Sequence, residues 1–266
     1  MAGFQLFLLC AIFFGTSAIS VVTGGTSLIT VPAMFQFDID PRTALATNMF
    51  ALTFMSAGGT LPFLGRHDID RKRLPVLIAL TVLGSLVGAL LLLVIPKGSV
   101  PLIVSGAMIL VGVFSLAYRQ PGVQEFVAEP SRAAELAGYV LTFLLAIYGG
   151  FFSGGYVTLL TAAYVAFFRH SFVEAIATTK LINVFSSGVA TVVFMWQHLV
   201  DYRLGCVLGF AMFLGAIVGA RLAIRLGNEW LRRVFLTAVW ALGLKMLLYD
   251  VLARSNACGR RPQTSA

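Results

Sequence analysis

Long apolar runs separated by short polar breaks fill this chain. The runs fall near residues 4–22, 27–37, 43–64, 74–95, 100–117, 134–152, 156–168, 172–195, 204–222 and 233–252. A helix of roughly 17–25 apolar residues crosses the ~30 Å hydrocarbon core of a bilayer. Eight runs reach that length, whereas 27–37 and 156–168 are too short to cross comfortably. Nothing resembles the ten-residue alternating segments of a membrane β-barrel. The pattern predicts an all-α polytopic membrane protein.

Each short run follows a glycine pair. Gly24-Gly25 precedes 27–37 in "SVVTGGTSLITVPAMFQ", and Gly154-Gly155 precedes 156–168 in "GGFFSGGYVTLLTAAYV". The matching placement reflects a duplication. Residues 46–91 laid on 177–222, an offset of 131, are identical at 16 of 46 positions. The matches include Thr47/Thr178, Ser56/Ser187, His67/His198, Asp70/Asp201 and Gly84/Gly215, with Val87-Gly88-Ala89 on Val218-Gly219-Ala220. Shared oiliness aligns Leu and Val, but it does not put His, Asp and Gly in register. The predicted units are a first membrane repeat over 1–118, a polar connector over 119–133, a second repeat over 134–253 and a basic tail over 254–266.

Charge adds an orientation. Loop 66–73 carries Arg66, Arg71, Lys72 and Arg73, whereas its counterpart 197–203 carries only Arg203. Lys97 stands alone in its loop, but the counterpart around 221–233 has Arg221, Arg225, Arg232 and Arg233. Opposite bias in matched loops is what positive-inside sorting gives to two inverted-topology repeats of about five helical segments each, an odd number. The glycine pairs then open short broken or re-entrant helices. The tail cations Arg254, Arg260 and Arg261 would lie outside on this topology, against the rule.

Composition agrees with a membrane class: 59% of the 266 residues are hydrophobic, 11% are charged, and mean hydropathy is +0.92. The net charge of +8 comes from short loops and forms no basic stripe, which argues against nucleic-acid binding. Three distant cysteines give neither a disulfide framework nor a metal motif. The first apolar run lacks a cationic leader and reads as a span rather than a signal peptide. No phosphate-binding loop, HExxH or GxSxG occurs, so neither a single-chain ATP-driven pump nor a hydrolase is expected, and no cofactor is implied.

Two constellations carry candidate chemistry. Half-helix N-termini aim amides and dipoles at anions. Gly24, Gly25, Thr26 and Ser27, with the amides of residues 26–28, form one such opening; Gly154, Gly155 and Thr158, with the amides of residues 156–158, form the other. The competing reading is that these glycines serve only close helix packing. The second constellation is "ATTKLINVFSS", where Lys180 lies some nine residues into a span, flanked by Thr179, with Asn183 at i+3 and Ser187 at i+7. A cation at mid-membrane costs about 2.5–3.5 kcal/mol on insertion scales, so it faces a cavity or a partner. An anion or an acid from another helix would each serve. The first half has Asn48 and Ser56 in this stripe, with Met49 where Lys180 stands. Lys245 in the last run reads as a snorkelling or structural residue, and His67 and His198 as loop contacts.

These residues together resemble the TauE/SafE family of sulfite exporter-like permeases. The resemblance rests on Gly-Gly, a short apolar segment with Pro32, "PRTALATN" and "SAGG" in the first half. In the second it rests on "SGGYVTLL", "AIATTKLINVFSSG" and the step from Asp201 into "LGAIVGARLA". It implies a bacterial inner-membrane transporter of small anions, with sulfite or organosulfur anions as cargo, and it places Asn48, Lys180 and Asn183 with the glycine turns in the binding motifs. Met49 departs from the polar or basic residue that relatives often carry, and the first glycine cluster is shorter than theirs. The expected partners are a small anion and the lipid bilayer, with a homo-oligomer as a further expectation. A non-transporting scaffold and a passive anion channel are the competing functions.

Overall fold

The computed structural model describes residues 3–63, 71–117, 130–222 and 225. Among them are nine α-helices: α1 (Gly3–Thr23), α2 (Ser27–Gln36), α3 (Pro41–Thr60), α4 (Leu74–Val94), α5 (Val100–Ala117), α6 (Arg132–Phe151), α7 (Tyr156–Phe167), α8 (Phe172–Trp196) and α9 (Tyr202–Leu222). No strand occurs among the described residues. Both short runs are helical, so each glycine pair marks a real break. The run 233–252, the loop with His67 and Asp70, Lys245 and the basic tail lie outside the described residues.

Local chemistry sets the starts. Asp40 accepts from the amides of Arg42 (3.1 Å) and Thr43 (3.2 Å), with Pro41 in the first turn of α3. Ser131 caps α6 through the Ala134 amide. Ser171 and Glu174 form a reciprocal capping box on α8, and Asp201 accepts from the Leu204 amide at the start of α9. Such caps are worth about 1 kcal/mol each. The matched Asp70/Asp201 position therefore reads, in the second half, as a helix cap. By contrast, α2 and α7 begin at the breaks without any side-chain cap.

Five described helices are long and apolar enough to cross a membrane: α1, α4, α6, α8 and α9. On α4 the exposed face is Leu83, Leu86, Val87, Leu90, Leu91 and Val94, a surface suited to lipid. The run 43–64 also has the length, but as α3 it buries Thr47, Asn48, Ser56 and Thr60. These groups are satisfied by protein, so the polar face of α3 is turned into the bundle, while Phe54 stays exposed.

Crosswise packing joins the halves. α4 lies along α6, where a Cβ on Gly84 would stand 2.7 Å from the Phe143 carbonyl and one on Gly88 would overlap the Ile147 carbonyl. At the matched positions, Gly215 faces the Phe14 carbonyl of α1 (2.5 Å) and Gly219 faces that of Ala18. The shared glycines thus let backbones approach closely at two equivalent contacts. Between them, α3 packs against α8. Thr47 pairs with the Asp201 amide, Thr53 with Thr191 and Ser56 with Asn183, so the two helices run antiparallel.

Arg42, at the start of α3, donates to the Leu93 and Ile95 carbonyls where α4 ends. A cation there complements the helix C-terminus. Arg73 binds Glu135 at 2.7 Å and lies over the Phe168 ring, tying the start of α4 to α6 and to the end of α7.

Candidate membrane anion site

The two backbone breaks meet. Gly24 ends α1 at φ +67, and a Cβ on it would lie 2.6 Å from the Thr158 nitrogen. Gly155 precedes α7 at φ +79, with the Val111 side chain where a Cβ would go. A left-handed backbone with no room for a side chain requires glycine. The packing reading of these glycines holds: their close approach brings the two breaks together.

A chain of polar contacts links the breaks to α3. Ser27 at the start of α2 lies 3.2 Å from Ser153, hydroxyl to hydroxyl. Asn48 donates to Ser27 at 2.9 Å and accepts from Thr30 at 2.7 Å. Thr26 and Ser20 both donate to the Met55 sulfur, at 3.6 and 3.7 Å. The Ser20 carbonyl accepts from the Gly24 amide at 2.7 Å and from the Lys180 Nζ at 3.4 Å. Gly154 holds the same neighbourhood from the other side, its carbonyl accepting from the Tyr148 hydroxyl.

The halves repeat one of these contacts. Thr161 and Thr179 lie 3.3 Å apart, hydroxyl to hydroxyl. They stand 131 residues beyond Thr30 and Asn48, so the same short-helix to long-helix pair occurs twice. Residue Thr158 is likewise the counterpart of Ser27. Lys180 breaks the symmetry, because its counterpart is Met49, which is also buried.

Lys180 is fully buried, the ninth residue of the 25 in α8. No carboxylate of the described residues lies within ion-pair distance of it. Its one hydrogen-bond partner among the described residues, the Ser20 carbonyl, belongs to the last turns of α1. A cation at a helix C-terminus gains about 0.3–1 kcal/mol, up to ~2 in partly buried settings. Mid-membrane burial costs about 2.5–3.5 kcal/mol. The α1 terminus therefore does not balance the charge, and the acid partner that the sequence left open is absent among the described residues.

Asn183 donates to Ser56 at 2.5 Å, leaving its Oδ1 buried without a partner. The carboxamide's two orientations exchange Oδ1 and Nδ2. Turned over, it accepts from Ser56 and presents an N–H instead.

Of the six amides expected to be available, Leu28 and Tyr156 are not. They donate to the Gly25 carbonyl (3.1 Å) and the Ser153 carbonyl (3.2 Å). The first turn satisfies them itself, which takes both out of the openings. Sequence reading passed over Ser20, Thr30, Met55 and Thr161. Thr30 and Thr161 carried a usable signal, being matched hydroxyls at the repeat offset. A backbone carbonyl such as that of Ser20 has none.

The chain's relatives bear on what this geometry serves. Residues 8–246 match the Sulfite exporter TauE/SafE family. The chain is similar to a probable membrane transporter protein, ORF9, of Sinorhizobium sp., with 26% identity covering 86% of this chain and 87% of that one. It is similar to probable membrane transporter protein YfcA of Escherichia coli K12, with 27% identity covering 87% and 85%. A probable membrane transporter protein of Haemophilus influenzae shares 24% identity over 92% and 95%. No solved structure matches. A multi-pass helical bundle and a match over nearly its whole length lead to one assignment: the chain belongs to the sulfite exporter TauE/SafE family and is a membrane transporter.

Proposed function

We propose that this transporter is a secondary carrier of a small anion, with sulfite or an organosulfur anion as cargo, in a bacterial inner membrane. The observation that carries the reading is Lys180, a wholly buried lysine without a carboxylate partner among the described residues. Buried charges in membrane spans are paired or functional, and an anion supplies the missing charge.

The roles follow from placement. Lys180 neutralises the anion. The α2 and α7 openings, at Gly24, Gly25, Thr26 and Ser27 and at Gly154, Gly155 and Thr158, add amide and hydroxyl donors. Asn48, Thr179 and Asn183 orient the cargo from α3 and α8. These contacts are charge-assisted, the stronger class of hydrogen bond.

Alternating access is the mechanism we infer, with residues 1–118 and 134–253 as inverted repeats that rock about the site. Three features favour it: the antiparallel run of the matched helices α3 and α8, the twin glycine contacts and the repeated Thr30–Asn48 and Thr161–Thr179 pairs. The sulfur-anion cargo rests on membership of the sulfite exporter family. Proteoliposomes loaded with unlabelled sulfite and offered 35S-sulfite test the carrier: transient, saturable accumulation by counterflow is expected. Flux without counterflow would instead indicate a channel, and no flux across sulfite, sulfate, thiosulfate and sulfoacetate would indicate a cargo outside this class.

A further inference from the structure

Lys180 has surroundings suited to a second task, which rests on the anion site just proposed. We propose that Lys180 carries the coupling proton of the transport cycle, taking up one proton with each anion and giving it up when the anion leaves.

Among the described residues the amine has one hydrogen-bond partner, the Ser20 carbonyl at 3.4 Å. Among the described residues, no ionisable group on the helices packed against α8, Arg132 of α6 included, shares a hydrogen bond or ion pair with the amine. Asp40 caps α3, and Arg42 holds the end of α4. Glu135 binds Arg73 and Tyr139, and Tyr148 donates to Gly154. On α8 itself, Glu174 is held in the capping box. Cys10 of α1 and Tyr156 and Tyr164 of α7 are near neighbours by helix, and none bonds to Nζ. α2 and α4 contribute no ionisable side chain. No described group can therefore replace the anion's charge when the anion departs.

An isolated ion out of water costs several kcal/mol, and a group that can neutralise does so instead of bearing that cost. With the anion aboard, the ammonium and anion form a neutral pair. When the site opens and the anion leaves, Lys–NH3+ becomes Lys–NH2 and the proton passes to water on that side. The empty carrier then rocks back as an amine, and the next anion enters with a proton from the other side. Anion and proton occupancy favour each other, as linkage requires. For a monoanion the cycle moves one proton and one negative charge in the same direction, so no net charge crosses. Arginine cannot perform this step, since it keeps its proton throughout.

The test uses full-length protein in proteoliposomes with an internal pH dye. The probes are methanesulfonate and thiosulfate, neither of which titrates near neutrality, so any proton moved belongs to the protein. The expected wild-type result is one proton per methanesulfonate, accumulation driven by a pH gradient and no response to an imposed potential. Lys180→Arg, whose guanidinium keeps its proton, is expected to lose net uptake at least tenfold at unchanged thermal unfolding in detergent. Wild-type uptake without proton movement would overturn the proposal whatever the variants do, and so would net uptake by Lys180→Arg at the wild-type proton ratio. Unchanged anion binding by Lys180→Met would overturn the anion site itself, which separates the two failures.

Discussion

The Nζ of Lys180 lies 3.4 Å from the Ser20 carbonyl oxygen, where α1 gives way to the glycine break. The one wholly buried lysine among the described residues thus touches the backbone interruption of the opposite half. Helix-end stabilisation of about 0.3–2 kcal/mol falls short of the mid-membrane cost of about 2.5–3.5 kcal/mol. Without an anion Lys180 must either bear that cost or give up its proton, and methionine does neither, so Lys180→Met should raise the thermal unfolding temperature of the anion-free protein in detergent. A lowered temperature would mean that Lys180 has a structural partner.

The Thr30–Asn48 and Thr161–Thr179 contacts should behave as equivalent pairs. Thr30→Val leaves the Asn48 oxygen without its 2.7 Å donor, and an unmet buried acceptor costs about 1–3 kcal/mol. Asn48→Leu added to Thr30→Val should recover about 1 kcal/mol of that loss. A double-mutant cycle by thermal or denaturant unfolding measures the coupling, and additive effects would contradict it.

Helix closeness is set by glycine at four matched positions. Gly88→Ala and Gly219→Ala should both reduce folded yield, because each new methyl meets a carbonyl of the facing helix. Overpacking of this kind costs about 1–3 kcal/mol or more. Gly98→Ala and Gly106→Ala, which have nothing within 4 Å, serve as controls and should be silent. Size-exclusion profiles after detergent extraction distinguish the outcomes.

Inverted repeats place matched loops on opposite sides of the membrane. Single cysteines at Arg71 and Tyr202, both exposed, should label from opposite faces with an impermeant maleimide in a background lacking the native cysteines. Labelling from the same face would exclude the inverted arrangement.

Much of the bundle is legible in the sequence because its punctuation is chemical. Asp40 with Pro41, Ser171 with Glu174, and Asp201 announce helix starts by residue type. The glycine pairs announce breaks, and the offset of 131 announces two equivalent sets of contacts. Lys180 stood out by its depth in an apolar run. What stayed hidden depends on partners with no side-chain signature, such as the Ser20 carbonyl. The extensive burial of α3 was also hidden, because it follows from which helices surround it. Threonines such as Thr30 were easy to overlook, since a hydroxyl in an apolar helix commonly bonds its own backbone, as Thr30 also does to Thr26 at 3.2 Å.

Binding of 35S-sulfite to purified wild-type protein and to Lys180→Met tests the central claim most directly. Charged hydrogen bonds are worth about 1.5–3 kcal/mol, so saturable wild-type binding should weaken by about 10- to 100-fold in the variant while the variant keeps its size-exclusion profile. Equal affinity in the two folded proteins would contradict the account.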